Sequence, residues 1–201
     1  SLNWRRWHWC NYTTGATAFV FGSLCYYPNL DFYFAGAFFF IVGGIGFFVA
    51  DLTEWWYYRL GCAFDSSVRA LWAGKVDALL TSRCLEATLV GRAQRAEVGV
   101  SFFVSVMGSL LYLTGAVCFI PSSNLLAAGC WQFILGSSLI IIAQTWKVTR
   151  AGCRSDNPKD RRFRLINYLG ADHWALTVDV GAGVGGFGYF VGTILFLLDI
   201  D

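Results

Sequence analysis

Apolar residues dominate five long blocks of this chain, and short polar or charged segments separate the blocks. Most blocks approach or exceed the roughly 18 to 20 residues that cross a ~30 Å hydrocarbon layer. The first block reaches that length only with the aromatic residues 7–12 that precede it. A soluble bundle would need an amphipathic outer shell, which these blocks do not leave. The pattern therefore predicts an all-α integral membrane protein of helical hairpins with five spans, in residues 15–27, 32–50, 98–120, 125–143 and 174–198.

Composition strengthens this interpretation. Of the 201 residues, 56% are hydrophobic and 14% are charged, whereas a soluble domain carries about 25% charged residues. Glycine is abundant with 22 residues and proline is scarce with 3, a mixture that suits closely packed membrane helices. Because the formal net charge is only +2, nucleic acid is not an expected partner.

The basic residues predict how the chain is oriented. All 15 lie before the first block, between the second and third, or after the fourth, and the short turns around Pro28 and Pro121 contain none. By the positive-inside rule, the N-terminus and both long connections share a face that is cytosol, mitochondrial matrix or chloroplast stroma. Tryptophan gathers at membrane interfaces, so Trp55, Trp56 and Trp146 are the predicted interfacial anchors.

The same pattern divides the chain into five segments. Residues 1–62 and 98–146 are predicted to be transmembrane hairpins, and residues 165–201 a fifth transmembrane segment. Residues 63–97 carry apolar side chains at near-3.6 spacing, which is typical of an amphipathic helix that lies on the membrane or docks a partner. Residues 147–164 form a basic linker suited to anionic lipid headgroups or to an acidic neighbour.

The two predicted hairpins correspond to each other at an offset of 93 residues. Ten of 36 aligned positions are identical, including a proline at each turn, Pro28 and Pro121. Proline interrupts a helix, so these two residues are predicted to fix the chain reversals. Small residues allow helices to pack closely, and the matched glycines predicted to do so are Gly15, Gly22, Gly36, Gly43, Gly108, Gly115, Gly129 and Gly136.

The last segment matches the first at an offset of 170 residues. Gly185 corresponds to Gly15, and Gly192 corresponds to Gly22. The sequence therefore predicts two parallel copies of one hairpin and half of a third. A sixth helix beyond Asp201 is the expected remainder.

Aromatic and glycine motifs recur around the first turn, as Phe21-Gly22-Ser23, Tyr26-Tyr27-Pro28 and Phe39-Phe40-Ile41-Val42-Gly43. This arrangement resembles the two-helix YrhK-like membrane domain, and residues 113–143 resemble a second copy. The resemblance implies a hairpin architecture. It implies no established chemistry and no site residue.

Ionisable residues inside a membrane are the first place to look for function, and the central turns of the first four predicted helices contain none. The fifth segment supplies the candidate polar site, Asp172, His173 and Asp179. Two interpretations of Asp179 stay open. It takes part in proton transfer, ion binding or a subunit contact, or it reaches the headgroup region or caps a neighbouring helix.

Other polar residues look less suited to chemistry. Asp51 and Glu54 fall at a predicted helix end close to Arg59 and are interpreted as interfacial ion pairs. His8 and His173 have no partner at ligand spacing on the same helix, so haem or chlorophyll is not expected. We expect no metal, no cofactor and no catalytic residue, but we do expect bound lipids.

These features predict a non-catalytic accessory subunit that braces a larger membrane complex and contacts its other subunits and lipids. The alternative is a small ion or solute transporter or channel of parallel hairpins that uses Asp179. An organellar membrane is the expected location, the mitochondrial inner membrane first and the thylakoid second.

Overall fold

The computed structural model describes residues 2–27, 30–63, 89–153 and 173–200. This part of the chain contains no strand, which confirms the all-α prediction. Its five helices are α1 (Leu2–Cys25), α2 (Tyr33–Ala63), α3 (Leu89–Cys118), α4 (Leu126–Gly152) and α5 (His173–Ile200).

Four of these helices are long and apolar enough to cross a membrane, so the protein is membrane-embedded. The apolar stretches are Tyr33–Trp55, Gly99–Cys118, Leu126–Thr149 and Leu176–Leu198. Helix α1, the remaining predicted span, is not among them although it has 24 residues. Its first half contains Arg5, Arg6, His8 and Asn11, which lower its mean hydropathy.

Close backbone approach joins α1 to α2 and α3 to α4 as antiparallel hairpins. A Cβ atom on Gly15 would lie 3.0 Å from the carbonyl oxygen of Gly43, and one on Gly108 would lie 3.1 Å from that of Gly136. At each of the eight predicted packing glycines, an added Cβ would come within 2.9 Å of the opposite arm or its turn. Larger residues would therefore push the arms apart.

The two turns share a left-handed residue at equivalent positions. Pro121 opens a short 3-10 turn (Pro121–Ser123) between α3 and α4, where the sequence predicts the reversal, whereas Pro28 lies outside the described residues. Asp31 and Asn124, 93 positions apart, both adopt left-handed backbone with φ of 52° and 54°. Asp and Asn tolerate this region better than most residues, so each turn ends at a suitable side chain.

Aromatic rings fill the centre of the bundle. Phe19 is 1% exposed, and its ring centroid lies 5.4 Å from that of Tyr112 and 5.7 Å from that of Phe133. These contacts join the first hairpin to the second, with α2 against α3, while α5 packs on α4. Such ring pairs contribute beyond simple area burial.

Two predicted segment boundaries differ from the structure. Helix α3 begins at Leu89, so the end of predicted segment 63–97 is part of a hairpin arm, while residues 64–88 lie outside the described residues. Helix α4 continues to Gly152, so the predicted basic linker 147–164 begins as helix. Residues 154–164 also lie outside the described part.

Candidate functional site

Polar side chains from all five helices converge where the hairpin arms open away from their turns. We call this set the polar cluster. Asp179 of α5 belongs to it because it interacts electrostatically with Lys147, Glu54 and Asp51. The members are His8, Tyr12, Asp51, Glu54, Ser105, Gln144, Lys147 and Asp179.

A buried ion pair crosses the bundle from α2 to α4. Lys147 Nζ lies 2.6 Å from Glu54 Oε2, and each side chain is only 10% exposed. His8 Nε2 lies 3.8 Å from the same carboxylate oxygen, and the Lys147 ammonium stands 5.0 Å from the centre of the Phe102 ring. Removing one member of such a pair is strongly destabilising, because it leaves a buried charge without a partner. The net contribution of the intact pair to the free energy of folding is much smaller.

Asp51 is the second anchor of the cluster and is 1% exposed. Its Oδ1 accepts hydrogen bonds from the Tyr12 hydroxyl of α1 and, at 2.9 Å, from the Ser105 hydroxyl of α3. Within the described residues its Oδ2 has no hydrogen-bond partner. One carboxylate therefore ties three helices together and keeps an acceptor available.

Gln144 of α4, like Asp51 of α2, is buried in the polar cluster. It is 1% exposed, and neither of its amide atoms has a hydrogen-bond partner among the described residues. A Cβ on Gly183 would lie 3.6 Å from the Gln144 Cβ, so α5 covers this side chain. Buried amides are ordinarily satisfied, so the cluster has hydrogen-bonding capacity left over.

Asp51 and Glu54, interpreted from the sequence as interfacial ion pairs near Arg59, are both buried in the bundle. Glu54 pairs with Lys147, which the sequence analysis assigned to a linker, and the side chain of Arg59 lies outside the described part. The sequence did contain a sign of this ion pair, because Glu54 and Lys147 are separated by the same 93 residues that relate the two hairpins. A search for identical residues does not detect it, since one residue is acidic and the other is basic.

Of the predicted polar site, Asp179 joins the cluster, and His173 is the first residue of α5. Asp172 and the side chain of His173 lie outside the described part, so the rest of this site stays a prediction. Among the predicted anchors, Trp146 is 50% exposed beside Lys147, Trp55 is partly buried, and Trp56 lies on α2.

Within the described residues, no group of three or more His, Cys, Asp or Glu side chains has the geometry to hold a metal ion. The cluster instead contains three carboxyl groups, on Asp51, Glu54 and Asp179, around one ammonium group on Lys147.

An apolar groove separates α1 from α5 and encloses about 320 Å³. Its walls include Thr13 and Ala16 of α1 and Gly181 and Gly185 of α5. Tyr12 lines the groove as well, and its hydroxyl donates to Asp51. The groove and the polar cluster therefore share a residue.

A different contact closes the opposite end of the bundle. The Tyr26 hydroxyl, in the first turn, donates a 2.8 Å hydrogen bond to the carbonyl oxygen of Phe119 in the second turn. Burial raises the pKa of Tyr26 to about 12, so the phenol remains a donor at neutral pH.

Comparisons with protein-family models, with curated proteins and with solved structures found no significant match.

Proposed function

We propose that the chain is a non-catalytic accessory subunit of a larger membrane complex, built from YrhK-like hairpins. It crosses the membrane five times, as two copies of one hairpin and half of a third. Recurring contacts support the duplication, since the Gly15–Gly43 approach in the first hairpin repeats as Gly108–Gly136 in the second. Tyr12 and Ser105, 93 positions apart, also converge on one carboxylate, that of Asp51.

The exposure of α5 is the observation that carries the accessory role. In its apolar stretch 11% of the residues are buried, against 33%, 39% and 39% in those of α2, α3 and α4. Val184 and Leu198 of α5 are 68% and 70% exposed. Membrane helices associate by close packing of small residues, and a glycine-rich helix with so little packing is suited to contact another subunit.

The polar cluster fits a bracing role. It links helices that are distant in sequence through Glu54 and Lys147, and it lies towards one end of the membrane stretches. A buried ion pair of this kind favours one arrangement of the helices, because any arrangement that separates the two charges leaves each of them buried without a partner.

Purification from native membranes in a mild detergent tests the proposal. We expect a tagged chain to elute in a stoichiometric complex with other membrane subunits. A lone, monodisperse chain that moves an ion in liposomes, and loses this activity in Asp179→Asn, would overturn the accessory role.

A second candidate function, ion or proton translocation, rests on the three cluster carboxyl groups around one ammonium group. Ionisable residues at membrane depth often mark proton and ion pathways. Proton flux in proteoliposomes would be compared for the native chain, Asp179→Asn and the control Asp31→Asn, whose carboxyl group is exposed in a turn. Flux abolished only by Asp179→Asn would favour transport.

The proposed location is an organellar membrane, the mitochondrial inner membrane first and the thylakoid second. The N-terminus and long connections face the matrix or stroma, in keeping with their basic residues. Exposed aromatic side chains such as Phe34 and Phe187, 68% and 62% exposed, suit contacts with bound lipid.

A further inference from the structure

Aromatic rings from three helices meet at the centre of the bundle. Phe19 of α1, Tyr112 of α3 and Tyr189 of α5 correspond to one another at the predicted offsets of 93 and 170. Their ring centroids form a triangle with sides of 5.4 Å for Phe19–Tyr112, 5.1 Å for Phe19–Tyr189 and 6.2 Å for Tyr112–Tyr189. The Tyr189 hydroxyl also donates a 2.8 Å hydrogen bond to the carbonyl oxygen of Phe19. Each of the three corresponding positions therefore contacts the other two.

A second triangle lies further along the same three helices, towards the turns. Tyr26, Phe119 and Phe196 correspond at the same offsets, and their ring centroids lie 5.7, 6.4 and 6.4 Å apart. Corresponding positions that meet three at a time surround a threefold rotation axis. Helices α1, α3 and α5 are thus the three inner helices of an approximately threefold bundle.

Outer helices fill two of the three gaps between the inner helices. Helix α2 packs on both α1 and α3, and α4 packs on both α3 and α5. The third gap, between α5 and α1, is the apolar groove. Within the described part of the chain, α1 and α5 make much less contact with each other than these neighbouring helices do.

The α5 side of the groove corresponds to a surface that an outer helix covers in the first hairpin. Gly185 and Gly192 correspond to Gly15 and Gly22, which lie against α2. A Cβ on Gly15 would lie 3.0 Å from the carbonyl oxygen of Gly43, whereas one on Gly185 or Gly192 would meet no described atom within 4 Å. This side therefore resembles a hairpin interface that lacks its second arm.

The α1 side corresponds to a different covered surface. Ala16 lines the groove and is exposed, whereas the corresponding Ser109 of α3 and Gly186 of α5 are buried. Val20 also lines the groove and is 59% exposed, whereas the corresponding Leu113 packs closely on α2. This side therefore resembles the faces by which α3 contacts α2 and α5 contacts α4.

A single helix would satisfy both sides of the groove. It would pack on α5 as the second arm of a hairpin and on α1 as α2 packs on α3. In both described hairpins the helix with these two contacts is the next one along the same chain, after a turn of seven residues. Repeats of this kind bury their open faces against their neighbours in the chain.

We propose that the groove between α1 and α5 seats a further helix of this same chain, which follows α5 and closes a ring of three hairpins. The inference rests on the duplication proposed above and goes beyond the accessory role. It leaves surface for other subunits, because successive residues of a helix point about 100° apart. Val184, next to Gly185 and 68% exposed, therefore faces away from the groove.

The two described outer helices show which residues the further helix must present. Each has two consecutive small residues, Gly43-Gly44 in α2 and Gly136-Ser137 in α4. The first approaches the inner helix of its own hairpin, since a Cβ on Gly136 would lie 2.9 Å from the carbonyl oxygen of Gly108. The second approaches the next inner helix, since a Cβ on Gly44 would lie 2.8 Å from the Leu113 Cα. We expect the same pair of small residues in the further helix.

Photo-crosslinking in the full-length protein, in native membranes, tests the assignment. A diazirine-bearing amino acid would replace Val20, and mass spectrometry would identify the peptides that it captures. We expect capture of a segment that follows α5 in the same chain, with the cross-linked product migrating as a monomer. The probe at Leu113, the corresponding position of α3, is the positive control and should capture α2. The probe at Phe187, 62% exposed and outside the groove lining, should not capture the segment after α5.

Thermal unfolding provides a second readout. In a chain of residues 1–201, Gly185→Leu meets no described atom within 4 Å of its Cβ and should be tolerated. In the full-length protein the same substitution would push the further helix away from α5, so the midpoint of unfolding should fall. Val184→Leu, on the outward face, should leave both midpoints unchanged.

Several results would overturn the inference. These are a complete coding sequence without a membrane span after α5, capture by the Val20 probe of lipid alone, of a second copy or of another polypeptide, or a full-length Gly185→Leu protein as stable as the native one. Capture within the chain, without a complex from native membranes, would support the ring and remove the accessory role. Capture of another subunit would remove the ring and support the accessory role.

Discussion

Glu54 and Lys147, 93 positions apart, meet as a buried ion pair with 2.6 Å between Oε2 and Nζ. The separation equals the predicted offset between the two hairpins, so these two corresponding positions face each other across the bundle. Identical charged residues at these two positions would repel each other, whereas Glu54 and Lys147 attract. The pair therefore favours packing of the two hairpins against each other.

Reversing this pair tests that relationship. We expect Lys147→Met and Glu54→Lys each to lower the free energy of unfolding by about 3–5 kcal/mol, because each leaves a buried charge without its partner. The double variant Glu54→Lys/Lys147→Glu should recover most of the loss in detergent unfolding curves. A double variant no more stable than the single variants would show that the pair does not act as a unit.

Glycine contacts between the hairpin arms predict position-dependent effects of one substitution. Gly136→Leu should destabilise the protein by about 1–3 kcal/mol through overpacking, because its Cβ would lie 2.9 Å from the carbonyl oxygen of Gly108. In a chain of residues 1–201, Gly185→Leu has open space around its Cβ, so it is the matched control and should unfold at the native temperature. Equal losses in both variants would indicate a general effect of leucine on these helices.

The hydrogen bond between the turns predicts a pH dependence. Burial raises the pKa of Tyr26 to about 12 from its ordinary value of 10.0. The neutral phenol is therefore favoured in the folded state, and its contribution is fully present below pH 10 and is lost as pH rises through 12. Stability of the native chain should fall more steeply than that of Tyr26→Phe across this window, measured by thermal unfolding in detergent.

Substitution at neutral pH provides a second readout of the same contact. Tyr26→Phe should cost about 0.5–1.5 kcal/mol through loss of the hydrogen bond to Phe119. Tyr27→Phe is the control, since Tyr27 is 65% exposed. Parallel pH profiles of the native chain and Tyr26→Phe would contradict this account of Tyr26.

Cysteine labelling tests the membrane crossing of α4. In a chain whose only native cysteine is Cys153, a membrane-impermeant maleimide should reach Cys153 from one side. A cysteine in place of Ser122, which is exposed in the second turn, should react only from the other side. Labelling of both positions from the same side would exclude this crossing.

The hairpins were predictable from sequence because their signals are periodic and local. Apolar block length, turn proline and glycine spacing predict the antiparallel arms and the close approach at Gly43 and Gly136. The polar cluster was not predictable in the same way. Lys147 and Glu54 stand near the ends of apolar stretches, where sequence favours an interfacial interpretation, and only tertiary packing buries them. The amphipathic segment predicted in 63–97 stays a prediction over residues 64–88.

The seven-residue turns between the helices, residues 26–32 and 119–125, bear on how a protein of this kind can grow. A pair of antiparallel arms enters and leaves the membrane on the same side. Inserting or deleting such a pair in the gene leaves the orientation of every other segment unchanged, whereas a single added helix would invert all that follow. Tandem copying of such a pair would therefore leave the predicted orientation of the other segments unchanged.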